Sequence, residues 1–342
     1  MATDISLPDP GNILDLIEAF RRSKTMFTAV SLGVFDTLAT GPKSIETLAK
    51  ELGCDQDALQ RLLDGCVGLQ LLTRNERGEF VTTPAATNYL TGNSPHRLTG
   101  YINYSNAVLW KLWGNLEDAV REGTNRWQQT YGWDGPLFDN FFKTPADVRE
   151  FLMGMHGFGM LSSPSVVSAF DLSRFNTLVD LGGATGHLVI AACRRYQNLR
   201  GVVFDLPSAM PLANEIIGAS PVADRVTAVP GDFFVDQLPA GDLISLGRIL
   251  HDWTEEKINR LLKRIYDRLP SGGAILIAEK LLWEDRGGPR GALMQSLNML
   301  TCTEGKERTL TEYEALLTKA GFRDVVGYRT ASVIDAVMAV KP

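Results

Sequence analysis

The 342-residue chain is 44% hydrophobic and 22% charged, with a formal charge of −6. This is the composition of an ordinary soluble globular protein, long enough for two domains, and its acidity argues against general affinity for nucleic acid or an anionic membrane. No apolar stretch reaches the roughly 18–20 residues that a membrane span needs. The start, MATDISLPDPGN, lacks a basic region followed by an apolar one, so no secretory signal is expected. Cys54, Cys66, Cys193 and Cys302 are far apart and match no metal or disulfide spacing, the pattern of reduced thiols in a cytoplasmic protein.

The first half is predicted to be mostly helical. In NILDLIEAFRRSKTMFTAVSLGVFDTLA, residues Ile13, Leu14, Ile17 and Phe20 share one stripe, the spacing of an amphipathic helix. SIETLAKELG and DQDALQRLLDGCVGLQLL predict two helices flanking the turn Gly53-Cys54-Asp55, and LLTRNERGEFVTTPAA a hairpin about Arg77-Gly78. Two short helices and a hairpin form a winged-helix pattern. A helix that reads DNA needs cations and amides at base edges and phosphates. This one carries Asp55, Asp57 and Asp64 against Arg61 alone, so packing or dimerisation is its expected use.

From about Phe175 the texture changes. TLVDLGG, RGVVFDLP, RVTAVPGDFF, DLISLGRIL and GGAILIAEKLL are short β-rich runs, with helical segments such as HLVIAACRRY, PLANEIIGA and TEEKINRLLKRIYDRL between them. That alternation predicts parallel strands with crossover helices. GFRDVVGYRT and SVIDAVMAVKP break the rhythm and predict an antiparallel pair at the sheet edge. The expected domains are a helical winged-helix-like one over residues 1–165 and an α/β one over 166–342.

VDLGGATGH lies between a strand and a helix, where doubly wound sheets bind nucleotides. The nicotinamide fingerprint would put its second and third glycines on Ala184 and His187, and a histidine there would crowd the helix against the strand. The spacing is instead Asp180, then Gly182, then Gly186 four residues on. It resembles motif I of S-adenosylmethionine-dependent methyltransferases, whose cofactor brings a carboxypropyl tail rather than a pyrophosphate. Asp205, ending the next strand ahead of Leu206, is able to accept both ribose hydroxyls. Beyond Gly231, Asp232 is able to accept from the adenine amine while Phe233 covers the ring.

GRILHDW closes the fourth strand, at the same sheet edge. A phenol of pKa near 10 is a poor nucleophile at neutral pH, and an imidazole within reach can take its proton as the oxygen attacks in line. His251 has that position, and Glu279 in LIAEKLL and Glu307 in TEGKERT are the carboxylates that would fix its tautomer and stabilise the cation. A catechol-type magnesium site needs clustered Asp and Asn ligands. No Asp-Asn pair lies in the right region, so the expected mechanism is metal-free.

DLGGATG, VVFDLP, GDFF, RILHDW, GGAILIAE and SLNMLTCTEGKERTLTEYEALLTKAGF, with SLGVFDTL, WGNLEDAVREGTN and FLMGMHGF in the first half, cover nearly the whole chain. Together they resemble the cation-independent small-molecule O-methyltransferases of plants and animals, and within them the hydroxyindole branch. The resemblance implies a Rossmann-like class I methyltransferase sheet with an antiparallel edge strand, preceded by a winged-helix domain that forms a homodimer. It implies methyl transfer from S-adenosylmethionine to a small aromatic hydroxyl, with His251 as base and Glu279 and Glu307 flanking it. Gly182, Asp205, Leu206, Gly231, Asp232, Phe233 and Arg248 match cofactor-binding positions, and Phe142 stands where the indole enzyme has a tyrosine near the cofactor. Asp252 and Asn298 match positions that contact the indole, and Cys302 stands where the animal enzyme has a glutamine. Met155, His156, Met294 and Met299 are candidates to line a slot for a flat ring. Two alternatives stay open beside this reading: a cofactor-binding but catalytically silent interaction protein, and a methyltransferase acting on nitrogen or carbon.

Overall fold

A computed structural model describes residues 8–133, 135 and 144–342. The described chain forms two compact units, residues 1–106 and 107–342.

In the first unit, helix Gly11–Ser31 leads into short helices and a two-stranded hairpin. Ser44 caps helix Ile45–Leu52 and Asp55 caps helix Gln56–Gly68, each accepting from a backbone N–H of the first turn. The hairpin pairs β1 (Leu72–Arg74) with β2 (Phe80–Thr82), and Gly78 supplies the left-handed residue of its turn. Leu48, Leu59, Leu63, Phe35 and Phe80 are buried together beneath it, so the winged-helix pattern is borne out with its core inside. The first stripe behaves differently. Ile13, Leu14, Ile17 and Phe20 remain 56–60% exposed, so their apolar face is not spent on the unit's own core.

The second unit holds a seven-stranded sheet made of β3 (Thr177–Leu181), β4 (Arg200–Asp205), β5 (Val226–Pro230), β6 (Leu243–Gly247), β7 (Ala274–Glu279), β8 (Arg323–Tyr328) and β9 (Asp335–Val340). Its order is β5-β4-β3-β6-β7-β9-β8. The first five strands are parallel, and β9 inserts antiparallel between β7 and β8. The reversal of order between β3 and β6 makes a crevice at their carboxyl ends, the usual ligand position of such sheets. β7 is buried at every residue, as a strand covered on both faces must be. Each of its isoleucine and leucine side chains is worth about 1.5–3 kcal/mol in burial.

Helix caps are legible in the sequence: Thr254 caps helix Glu255–Arg268, and Thr309 and Glu312 form a reciprocal capping box on helix Leu310–Ala320. The compact units part at 106/107, ahead of the expected domain boundary at 165/166. Helix Pro145–Ser168 lies on the sheet's side of that division, and its residues Val148, Leu152, Val166 and Val167 belong to the sheet's own core. Among the described residues, no helix is long and apolar enough to cross a membrane.

Candidate active site

Residues 182–186, after β3, turn sharply. Gly182 (φ +70°), Ala184 (φ +50°) and Gly186 (φ +81°) are left-handed, and a Cβ on Gly182 would stand 2.4 Å from Ile249 Cδ1. Ala184 is therefore a non-glycine held in a conformation that costs energy, of the kind that clusters at functional sites. Asp205, at the end of β4, restrains it: Oδ2 accepts from Ala184 N at 2.7 Å, and Oδ1 from Leu206 N at 2.7 Å. Burial raises the Asp205 pKa, while these two backbone donors oppose the rise. Each oxygen keeps a second lone pair, which is the acceptor capacity a vicinal diol requires. Asp180, buried beneath the loop, accepts from Ser245 Oγ at 2.6 Å, and burial lifts it to about 7.

After β5, Gly231 N donates to Asp205 O at 2.9 Å, and no side chain would fit at Gly231 because Phe204 lies 2.3 Å from its Cβ position. Asp232 Oδ1 accepts from Phe234 N at 2.7 Å. Phe233 borders Gly182, since its Cε1 is 3.5 Å from the position of that glycine's missing Cβ, and its ring tilts against Phe234. Arg248 (φ +58°) donates its backbone N–H to Ala278 O and sets its guanidinium 5.3 Å from the centre of the Phe158 ring. These residues fit the methyl donor: small at the turn, acidic at the ends of β4 and β5, and aromatic beside the turn.

The second cluster follows β6. His251 is in a single turn, Leu250–Asp252, and is 4% exposed. Its Nδ1 is 2.7 Å from Glu307 Oε1 and 3.2 Å from Glu279 Oε2. A carboxylate can only accept, so Nδ1 carries the proton. Glu279 is fixed by two donors, Ile249 N and Leu250 N, both 2.9 Å from Oε1. Nε2 has Asp252 Oδ1 at 3.7 Å, too long for a hydrogen bond. Burial opposes charge on the imidazole, but Glu279, Glu307 and Asp252 outweigh it and lift His251 to about 10. Burial raises Glu279 to about 7 and Asp252 to about 6 against the pull of His251. The result is a buried imidazole among carboxylates whose Nε2, among the described residues, makes no hydrogen bond. His251, Glu279 and Glu307 also offer three donor atoms within 4.8 Å of one another, the composition of a candidate cation site.

The other expected site residues are spread around this cluster. Asn298 is buried and its Oδ1 is engaged by Trp113 Nε1 at 2.8 Å, leaving the amide N–H₂ as its remaining polar function. Cys302 is buried, its thiol turned to Asn298 O at 2.9 Å, and burial pushes its pKa up, so it acts as a small inert side chain. His156 is buried with Nδ1 2.8 Å from Thr185 Oγ1. Met155 is half-buried and Met299 buried, while Met294 is 47% exposed. Phe142 lies outside the described residues. Sequence reasoning missed Trp113 and also Trp127, whose Nε1 donates to Cys302 O at 2.8 Å. Both brace helix Arg290–Cys302 from more than a hundred residues away, and no local pattern marks them.

Residues 113–323 match the O-methyltransferase domain family, and residues 14–92 match the O-methyltransferase dimerisation domain. The chain belongs to the O-methyltransferase family. Acetylserotonin O-methyltransferase of Gallus gallus is 39% identical across 97% of this chain and 97% of its own length. A Homo sapiens protein described as a probable bifunctional dTTP/UTP pyrophosphatase/methyltransferase is also 39% identical, over 98% of this chain, which spans only 54% of that relative. The crystal structure of human N-acetylserotonin methyltransferase in complex with S-adenosylmethionine superposes with a TM-score of 0.92, at 37% identity, covering 100% of this chain and 99% of that one. The methyl donor of this O-methyltransferase is therefore S-adenosylmethionine.

Proposed function

We propose that this O-methyltransferase moves the methyl group to the hydroxyl of a small aromatic acceptor, phenolic or hydroxyindole-like, by metal-free general-base catalysis at His251. The observation that carries the reading is the 2.7 Å contact between His251 Nδ1 and Glu307 Oε1, which commits one nitrogen and leaves Nε2 to take the acceptor's proton. S-adenosylmethionine, when bound, supplies an electrophilic sulfonium methyl group. Asp205 holds its ribose, Asp232 and Phe233 its adenine, and Arg248 with Gly182, Leu206 and Gly231 completes the enclosure. The carboxylates that stabilise the imidazolium also make its conjugate base strong. Its pKa, raised toward that of a phenol, makes proton transfer less uphill as the oxygen attacks than it would be to an ordinary imidazole. Asp252 and the amide of Asn298 are the polar groups available to orient the acceptor, with Cys302, Met155, His156 and Met294 around it.

A proton rather than a cation between His251 and Glu307 is supported by the spacing. Ligands on a tetrahedral zinc at 2.0–2.1 Å stand roughly 3.3 Å apart, whereas Nδ1 and Oε1 are 2.7 Å apart, an ordinary charge-assisted hydrogen bond. Glu279 Oε1 is in addition already taken by two backbone donors. The exposed stripe of Ile13, Leu14, Ile17 and Phe20, within the segment matching the dimerisation domain, supports a homodimer in which a second copy covers it. Four unpaired cysteines support a cytoplasmic setting.

Purified protein, labelled S-adenosylmethionine and a panel of phenols and hydroxyindoles test the reading. An accepted phenol or hydroxyindole with turnover at least a hundredfold lower in His251→Ala is expected. Equal turnover by the wild type and His251→Ala would remove His251 from the chemistry.

A further inference from the structure

Helix Pro145–Ser168 grips the glycine loop at two adjacent points. Residues 156, 159 and 163 are spaced i, i+3 and i+7, so they share one helix face. From that face His156 Nδ1 meets Thr185 Oγ1 at 2.8 Å, and Ser163 Oγ meets His187 Nδ1 at 2.9 Å. Between them Gly159 is buried and has no side chain, and a Cβ there would stand 2.3 Å from the His187 ring. The ring fills the space that any larger residue at 159 would need. His187 opens helix His187–Arg195, so both contacts land on the turn that closes the loop.

We propose that Gly159 and His187 form an interlocked pair which, with His156 and Ser163, holds the glycine loop in its cofactor-binding shape, making His187 a positioning residue for S-adenosylmethionine. Of the loop's left-handed residues, Gly182 and Gly186 adopt that conformation freely, whereas Ala184 keeps it only where its surroundings hold it. The sheet holds one end, through Gly182 N to Phe204 O and Ala184 N to Asp205 Oδ2. Thr185 and His187 share their side-chain hydrogen bonds with the helix instead. The imidazole is also electrically suited to its place. Burial, helped by His156 and Arg248, depresses it to about 3, so it adds no positive charge where a sulfonium must bind. The proposal rests on assigning the loop to the cofactor.

Calorimetric titration of S-adenosylmethionine and S-adenosylhomocysteine into four variants tests it. Gly159→Ala is expected to raise both dissociation constants tenfold or more, because the ring must leave. His187→Ala should raise them several-fold, and the double variant Gly159→Ala/His187→Ala should return to the His187→Ala value because the clash is gone. Ser163→Ala adds no bulk, and should raise them about threefold even where Gly159→Ala fails to fold. At saturating cofactor, kcat should stay within twofold of wild type throughout. Wild-type affinity in Ser163→Ala together with either wild-type affinity in Gly159→Ala or a double variant no better than Gly159→Ala would overturn the interlock. Asp205→Asn separates the two layers: unchanged affinity there would overturn the assignment of the cofactor site and the proposal with it.

Discussion

Replacing Glu307 by glutamine should move the pH dependence of methyl transfer downward. With His251 raised to about 10, the neutral imidazole amounts to only about one molecule in a thousand at pH 7, and it grows tenfold per pH unit. In the wild type, kcat/KM for an accepted phenol should therefore climb with a slope near +1 from pH 6 to about 9. The sign follows from the raised pKa: the cation dominates below it, and the base form appears only as pH rises toward it. Glu307 Oε1 is the nearest charge, 2.7 Å from Nδ1, and its side chain is 1% exposed. An opposite charge at that range moves a pKa by about 1–3 units, so the inflection in Glu307→Gln should fall to about 7–9. The plateau rate should fall as well, since the imidazolium formed in the transition state loses its partner, an effect of about 10²–10⁴ for a misoriented base. Initial rates with labelled cofactor over pH 6–10.5 measure both. The acceptor's own ionisation, also near pH 10, would not respond to residue 307. A wild-type profile flat between pH 6 and 9, or an inflection unmoved by Glu307→Gln, would refute His251 as the titrating base.

Asp205→Ala removes an acceptor from two backbone N–H groups as well as from a diol, and should weaken S-adenosylmethionine about 10²-fold or more in calorimetry. Glu279→Leu leaves the amides of Ile249 and Leu250 unpaired in the interior, and should cost about 2–5 kcal/mol in denaturant melts together with most of the activity. The double substitution Ile17→Asp/Phe20→Asp puts charge into the exposed apolar stripe and should convert a dimer to a monomer in analytical ultracentrifugation, leaving the far-ultraviolet dichroism unchanged.

Local order made much of the catalytic unit legible before any coordinates. Period-two and period-3.6 patterns and strand-end aspartates depend on neighbours within a few residues, and chain order records these directly. The acidic spacing ahead of Gly182 and the failure of the nicotinamide pattern at Ala184 and His187 narrowed the ligand in the same way. The stripe of Ile13, Leu14, Ile17 and Phe20 was equally legible as amphipathic, but periodicity states only that a face is apolar. Its exposure shows that the first unit's own core does not use it.

What tertiary structure alone decided is which distant side chains meet. His251 and Glu307 are 56 residues apart, and Trp113 and Asn298 are 185 apart. Their contacts join elements that chain order keeps apart: the turn after β6 with the segment following helix Arg290–Cys302, and helix Trp110–Trp113 with helix Arg290–Cys302. The Gly159–His187 interlock is of the same kind: a glycine in mid-helix and a histidine after a glycine loop carry no mutual signal in sequence. The sequence by itself determined the elements, the candidate cofactor loop and the candidate base. The carboxylate partner of that base, and the helix contacts to that loop, came from side chains that only the folded chain brings within 3 Å.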